Sequence, residues 1–221
     1  MFMEKIKQYC IDAFFPKQCI GCGIFGYTIC TECISKNVDI QSTTMNIEGS
    51  ALQHIISIGN YANPFWKKSI RALKYSSVTD IGIECGLLLG TVIQNSIAIQ
   101  ESDTICIPIP IHSKKRLKRG YNQCDYIAQG LSTVLSIPFE TDILIRNLHT
   151  VSQTELSDEE RITNMKNAFS LSNDSTTQLL QKHILLIDDV FTTGATCLEA
   201  VKTLQNAGAE RITIATIARG R

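Results

Sequence analysis

Residues 184–196 read ILLIDDVFTTGAT, an almost uninterrupted apolar run from His183 that ends in Asp188 and Asp189 and then turns through Thr-Thr-Gly-x-Thr. Strands without polar alternation are buried on both faces, as in a parallel sheet covered by helices. In open α/β sheets, ligands bind beyond the carboxyl ends of the strands. The turn there offers backbone N–H groups, the hydroxyls of Thr192, Thr193 and Thr196, and the N-terminus of the next helix, a set suited to a phosphate. Gly194 lets the backbone approach that phosphate closely. Asp188 and Asp189 would repel a phosphate placed on them, but they suit vicinal ribose hydroxyls or a bound Mg²⁺ beside it. Ribose 5-phosphate has phosphate and hydroxyls in that arrangement. An ordinary strand–turn–helix with a capping Thr and two solvated acids is the competing reading, and it suits a bare Asp-Asp pair better than the whole string.

Outward from this segment, strand-like and helix-like patterns alternate from His54 onward. HIISIGNYA (54–62) is β-rich. Pro64 opens a helix with Trp66, Ile70 and Leu73 on one face and Lys67, Arg71 and Lys74 on another. A helix is expected over about 79–98, a buried strand over 104–110, a basic loop, and a helix over about 123–135. A short strand at 143–147 and a capping box at Ser157 and Glu160 follow. After the central strand come a helix at about 195–207 and a last strand at 211–218. Such alternation predicts an α/β fold with a doubly wound parallel sheet. Residues 35–50, polar and without an apolar period, read as a linker, which divides the chain into segments 1–50 and 51–221.

The 184–196 string resembles the 5-phosphoribosyl-1-pyrophosphate (PRPP) motif of type I phosphoribosyltransferases. The resemblance implies that Asp188 and Asp189 are the catalytic acids holding the ribose hydroxyls. It also implies that Phe191, Thr192, Thr193, Gly194, Ala195 and Thr196 cradle the 5-phosphate, with Val190 among the residues that bind the ribose phosphate. A pyrophosphate then needs cations from a neighbouring strand. IPIPIHSKKRLKRGYNQ (107–123) follows a strand and puts Lys114, Lys115, Arg116, Lys118 and Arg119 within six residues. Lys114, Lys115, Arg116 and Arg119 are the expected pyrophosphate ligands, where preorganised charge favours the departing group. A solvated basic loop is the alternative. Residues 146–169, polar and carrying Arg146, Gln153 and Arg161, have the length of a lid that would shield a ribosyl cation from water; a surface excursion with a short helix is the alternative.

The chain has 221 residues, 44% hydrophobic, with 21 basic and 21 acidic side chains, so no global field attracts nucleic acid or membrane. The start lacks the apolar core of a secretory signal, and the stretch from Ile81 to Ile99 is broken by Glu84, Gln94 and Asn95. A cytoplasmic protein without membrane insertion is expected. Nine cysteines, an odd number, point in that compartment to thiols and metal rather than disulfides. Cys19, Cys22, Cys30 and Cys33 form C-x₂-C-x₇-C-x₂-C, the pattern of a closed, structural Cys₄ zinc site. Cys85, Cys106, Cys124 and Cys197 read as small core residues.

Three features together resemble the ComF family of competence-associated, amidophosphoribosyltransferase-like proteins. They are the cysteine pairs, the 107–123 segment with its Arg119-Gly-Tyr-Asn-Gln123 run, and a pattern of Arg146, Thr150, Gln153, Arg161, Asn164, Ala168 and Phe169. Asn147 and His149 depart from that pattern. The resemblance implies a Rossmann-like type I phosphoribosyltransferase fold behind a zinc knuckle, Mg²⁺ bound with PRPP, and a role in natural transformation and DNA uptake. Transfer of phosphoribose from PRPP to an unnamed acceptor is the expected activity. The alternative is a non-catalytic PRPP- or nucleotide-sensing module that binds single-stranded DNA and DNA-uptake proteins, using Lys67, Arg71 and Lys74. A solvated cationic helix face is the blander reading of those three. A glutamine amidotransferase is not expected, since a chain starting Met-Phe-Met presents no N-terminal cysteine nucleophile.

Overall fold

The computed structural model describes residues 16–45, 48–147, 167–172 and 179–220. Its elements in chain order are α1 (Thr31–Asn37), β1 (Gln41–Thr44), β2 (Leu52–Asn60), α2 (Pro64–Tyr75), α3 (Asp80–Ser96), β3 (Thr104–Pro108), α4 (Ser113–Arg119), α5 (Gln123–Leu135), β4 (Leu144–Arg146), β5 (Phe169–Leu171), β6 (His183–Phe191), α6 (Ala195–Asn206) and β7 (Arg211–Arg219).

The main sheet runs β1-β2-β7-β6-β3. Strands β2, β7, β6 and β3 are parallel, and β1 is added antiparallel at the edge. Alternation along β6 sends Leu185 and Ile187 to one face and Ile184 and Leu186 to the other. The first face is covered by Trp66, Ile70 and Leu73 of α2, Leu89 and Ile93 of α3, and Ile127 and Leu131 of α5. The second carries Ala200, Val201 and Leu204 of α6, with Leu144 and Phe169 from the β4–β5 pair. Both faces are therefore dry, which is why β6 needs no polar alternation. Helices α3 and α5 meet backbone to backbone: a Cβ on Gly86 would lie 2.2 Å from the Ile127 carbonyl oxygen. No helix among the described residues is long and apolar enough to cross a membrane.

Two local expectations change. The expected linker over 35–50 contains the end of α1 and the strand β1, whose Gln41 pairs with Ser57 and Thr44 with His54. An edge strand is held by its backbone ladder, so polar composition did not reveal it. The expected basic loop is a helix, α4. His112 Nδ1 caps it by accepting from the Lys114 N–H at 3.2 Å, and Gly120 ends it at φ +86°. Arg116, Lys118 and Arg119 fall in its last turn, where the helix dipole favours cations, whereas Lys114 and Lys115 stand in its first.

Candidate active site at the carboxyl ends of the parallel strands

A cavity of about 930 Å³ opens where β2, β6 and β3 end, near the upper limit of the ~300–1,000 Å³ typical of small-molecule sites. Asp188 and Asp189 lie at its floor, and they differ. Asp189 is 4% exposed. Its Oδ1 accepts from Lys74 Nζ at 2.7 Å and its Oδ2 from Gln123 Nε2 at 2.6 Å. Arg119 Nη1 donates in turn to Gln123 Oε1. Burial alone would lower the Lys74 ammonium, but the charge and hydrogen bond of Asp189 carry it above its ordinary value. Asp189 is thus a buried, paired acid held from two helices.

Asp188 is half-buried and sits between two thiols. Its Oδ1 accepts from the Asp189 N–H at 2.8 Å and from Cys124 Sγ at 3.6 Å, and its Oδ2 from Cys197 Sγ at 3.6 Å. Burial, then the neighbouring Asp189 charge, pushes its pKa up to about 6, against the pull of Lys74, the amide and Arg146. Burial and the Asp188 charge hold both thiols well above their ordinary range, so they remain neutral donors. The two cysteines read from sequence as core filling are buried, and they also flank this carboxylate.

The turn after β6 is built from backbone. Gly194 sits at φ +77°, and a Cβ there would meet Phe191 Cζ at 2.6 Å. It is also the N-cap of α6, with no side-chain capping bond. First-turn amides of a helix lack intrahelical acceptors, which leaves them for an anion. Val190, Thr192, Thr193, Gly194, Ala195 and Thr196 line the cavity. Phe191 does not. It is buried beneath Gly194 and carries the Arg219 guanidinium 5.4 Å from its ring centre, so it supports the turn from below.

On α4, Lys115 and Arg119 are one turn apart and line the cavity, whereas Lys114 and Arg116 do not. Arg116 instead acts on the Asp125 carboxylate. Burial, then repulsion from Arg146, Arg119 and Lys74, lowers the Lys115 pKa, although Lys74 is paired with Asp189 and Arg146 feels the Asp188 charge. Arg146, at the end of β4, also lines the cavity. Gln153 and Arg161, expected in the lid, lie outside the described residues.

The Arg119–Gln123 run links these parts. Asn122 Oδ1 accepts from the Cys124 N–H at 3.3 Å to cap α5, and its Nδ2 donates to the Ile109 carbonyl at 3.1 Å and to Asp125 at 2.8 Å. Tyr121 OH donates to the Leu73 carbonyl on α2. The helix face of Lys67, Arg71 and Lys74, read from sequence as solvated, forms the remaining wall together with Tyr61 and Tyr75. No local pattern announces that Lys74 meets an acid 115 residues away.

The four N-terminal cysteines converge, with their sulfurs within 4.8 Å of one another, consistent with a zinc knuckle. Cys30 N–H donates to Cys19 Sγ at 3.3 Å and Cys33 N–H to Cys30 Sγ at 3.4 Å. Burial works against the Cys19 thiolate, yet amides of Cys22, Cys30 and Gly21 bring its pKa down to about 6. The knuckle is fastened to the sheet domain. Trp66 Nε1 donates to the Asn37 carbonyl at 2.8 Å, Asn63 Nδ2 to Asn37 Oδ1 at 3.0 Å, and the Ile29 N–H to Glu84 Oε2 at 2.9 Å.

Residues 122–221 match the model of the phosphoribosyl transferase domain. Competence protein F of Haemophilus influenzae is 35% identical over 169 residues, covering 76% of this chain and 68% of that protein. DNA utilization protein YhgH of Escherichia coli K12 is 30% identical over 165 residues, covering 73% and 70%. Among solved structures, a glutamine PRPP amidotransferase from B. subtilis aligns with 67% of this chain and 30% of its own at TM-score 0.42 and 19% identity, too distant to bear on chemistry. An α/β core with a phosphoribosyltransferase domain, a four-cysteine cluster ahead of it and this level of identity place the chain in the ComF family of competence proteins.

Proposed function

We propose that the protein binds PRPP with Mg²⁺ and transfers its phosphoribosyl group to a nitrogen acceptor. The observation that carries this reading is a single cavity joining the Asp188–Thr196 turn to Lys115, Arg119 and Arg146. The turn amides and threonine hydroxyls take the 5-phosphate, the acids take the ribose hydroxyls, and the α4 cations take the diphosphate. Asp188, the partly exposed acid, would hold Mg²⁺, which prefers carboxylate and phosphate oxygens and would supply neutralising charge to the diphosphate. The acceptor nitrogen forms a bond to C1 as the C1–O bond breaks. Diphosphate leaves with the electron pair, and the acceptor's surplus proton passes to water. The fixed cations stabilise charge as it develops on the leaving group. Diphosphate release from Mg·PRPP, measured across ammonium, amines and nucleobases, is expected to rise above background with one of these. Release that stays at background with all of them removes catalysis while leaving binding intact.

The knuckle is read as structural. Cys19, Cys22, Cys30 and Cys33 would hold one Zn²⁺ with no position open for substrate. Metal analysis of purified protein is expected to give one zinc per chain, and none in Cys30→Ser/Cys33→Ser. The alternative, a non-catalytic module binding single-stranded DNA along Lys67, Arg71 and Lys74, is less favoured because Lys74 is already engaged by Asp189. Under it, charge reversal at Lys67 and Arg71 would weaken salt-dependent strand binding. A cytoplasmic location remains part of this reading.

A further inference from the structure

Resting on that reading, we propose that the α2 wall of the cavity is a second anion site, and that the acceptor is a phosphomonoester whose phosphate is held by Lys67 and Arg71. PRPP accounts for the turn after β6 and for the cations on α4 and β4. It leaves the α2 wall without a ligand. Lys67 and Arg71 stand one helical turn apart, close enough to share one phosphate, and both line the cavity. Neither has a carboxylate partner within ion-pair distance among the described residues. The Lys67 ammonium instead lies 5.8 Å from the Tyr61 ring centre. Two cations on the wall of a cavity whose acids, Asp188 and Asp189, are already engaged by Lys74, Gln123 and the flanking thiols form a site that an anion completes.

Helix α4 follows β3 on one side of β6, whereas α2 follows β2, on the other side of β6 beyond β7. The two helices approach at the C-terminal end of α2, where the Arg119 guanidinium lies 5.6 Å from the Tyr75 ring centre. Arg71 and Lys67 stand one and two turns back along α2, so an anion held by them is set off from the α4 cations within the same cavity, beside the position of the leaving group. Lys74, next along the same stripe, already binds Asp189 and ties the stripe to the ribose acids, with Lys67 and Arg71 exposed along the cavity wall. Tyr61 and Tyr75, the latter 74% exposed, add flat surface beside the cations. An organic phosphate with a ring fits this wall better than inorganic phosphate.

The test uses adenosine and cytidine 5′-monophosphates, with the corresponding nucleosides as controls. They are titrated into the full chain with and without saturating Mg·PRPP, and into Lys67→Gln/Arg71→Gln. The monophosphates are expected to bind alongside Mg·PRPP and at least about 10-fold tighter than the nucleosides, as charged hydrogen bonds to one phosphate imply. The double variant should lose that advantage while keeping Mg·PRPP affinity within about 2-fold. Monophosphates that displace PRPP, bind the variant as well as wild type, or fail to bind at all overturn the proposal. A variant that loses PRPP does so too, because the cations then serve PRPP. If Mg·PRPP does not bind wild type, the phosphoribosyl reading fails by itself, and the PRPP-free titrations still decide the second site.

Discussion

The two sides of the cavity are made differently. The side after β6 is built from one short piece of chain: a strand end, a glycine at φ +77° and the first turn of α6. The opposite side is assembled from side chains on α2, α4, α5 and β4, brought together by packing from Lys67 to Arg146. A site made of consecutive backbone is fixed once its local conformation forms. A site made of distant side chains depends on helix rotation and on partners such as the Lys74–Asp189 pair. The backbone side should therefore fail through conformation, and the side-chain side through individual charges.

The largest effect is expected on the backbone side. Gly194→Val places a β-branched side chain at positive φ, 2.6 Å from Phe191 Cζ. Strain of about 1–3 kcal/mol plus the clash should lower Mg·PRPP affinity by roughly 100-fold in calorimetry. Equal affinity in this variant would show that the turn does not hold the phosphate.

A comparable effect of opposite sign is expected for stability at Asp188. Its pKa is raised to about 6, so between about pH 4 and 6 the folded state binds more protons than the unfolded one. Its stability falls as pH rises through that window. Asp188→Asn removes this cost and should stabilise the ligand-free protein at pH 7.5, by on the order of 1–3 kcal/mol. Thermal melts should show the gain shrinking toward pH 4, and a variant no more stable at pH 7.5 would contradict the assignment. Stabilisation at the expense of ligand binding is the usual mark of a functional acid.

Neighbours on α4 divide the side-chain side more finely. Lys115→Ala should weaken Mg·PRPP about 10-fold or more, whereas Lys114→Ala should stay within about 2-fold. Equal losses would mean that the helix face has been wrongly assigned. The smallest change is Tyr121→Phe, which removes the hydrogen bond to Leu73. It should cost about 1 kcal/mol, read as a fall of ~2–4 °C in Tm with PRPP affinity unchanged.

The same division explains what could be read from the sequence. The parallel sheet, β6, the placement of its acids and its glycine turn are legible because a doubly buried strand and a tight strand-to-helix turn are each written in adjacent residues. The four cysteines were legible because two tight corners have a fixed spacing. Helix α4 reads from sequence as a loop because its basic run carries no apolar period, and its His112 cap is uncommon. A loop has no faces, so composition alone does not separate Lys115 and Arg119 from Lys114 and Arg116. Strand β1 reads as linker because a polar edge strand leaves no compositional trace. Lys74 reads as solvated, and Cys124 and Cys197 as core, because their relation to Asp188 and Asp189 exists only in three dimensions.

The central claim is that Asp188 and Asp189 anchor Mg·PRPP. Isothermal titration of PRPP with Mg²⁺ into the zinc-loaded protein and into Asp188→Asn/Asp189→Asn tests it most directly. Saturable binding to wild type that is lost in the folded double variant is the predicted result. Binding that survives in the variant, or no binding to a folded wild type, would contradict it.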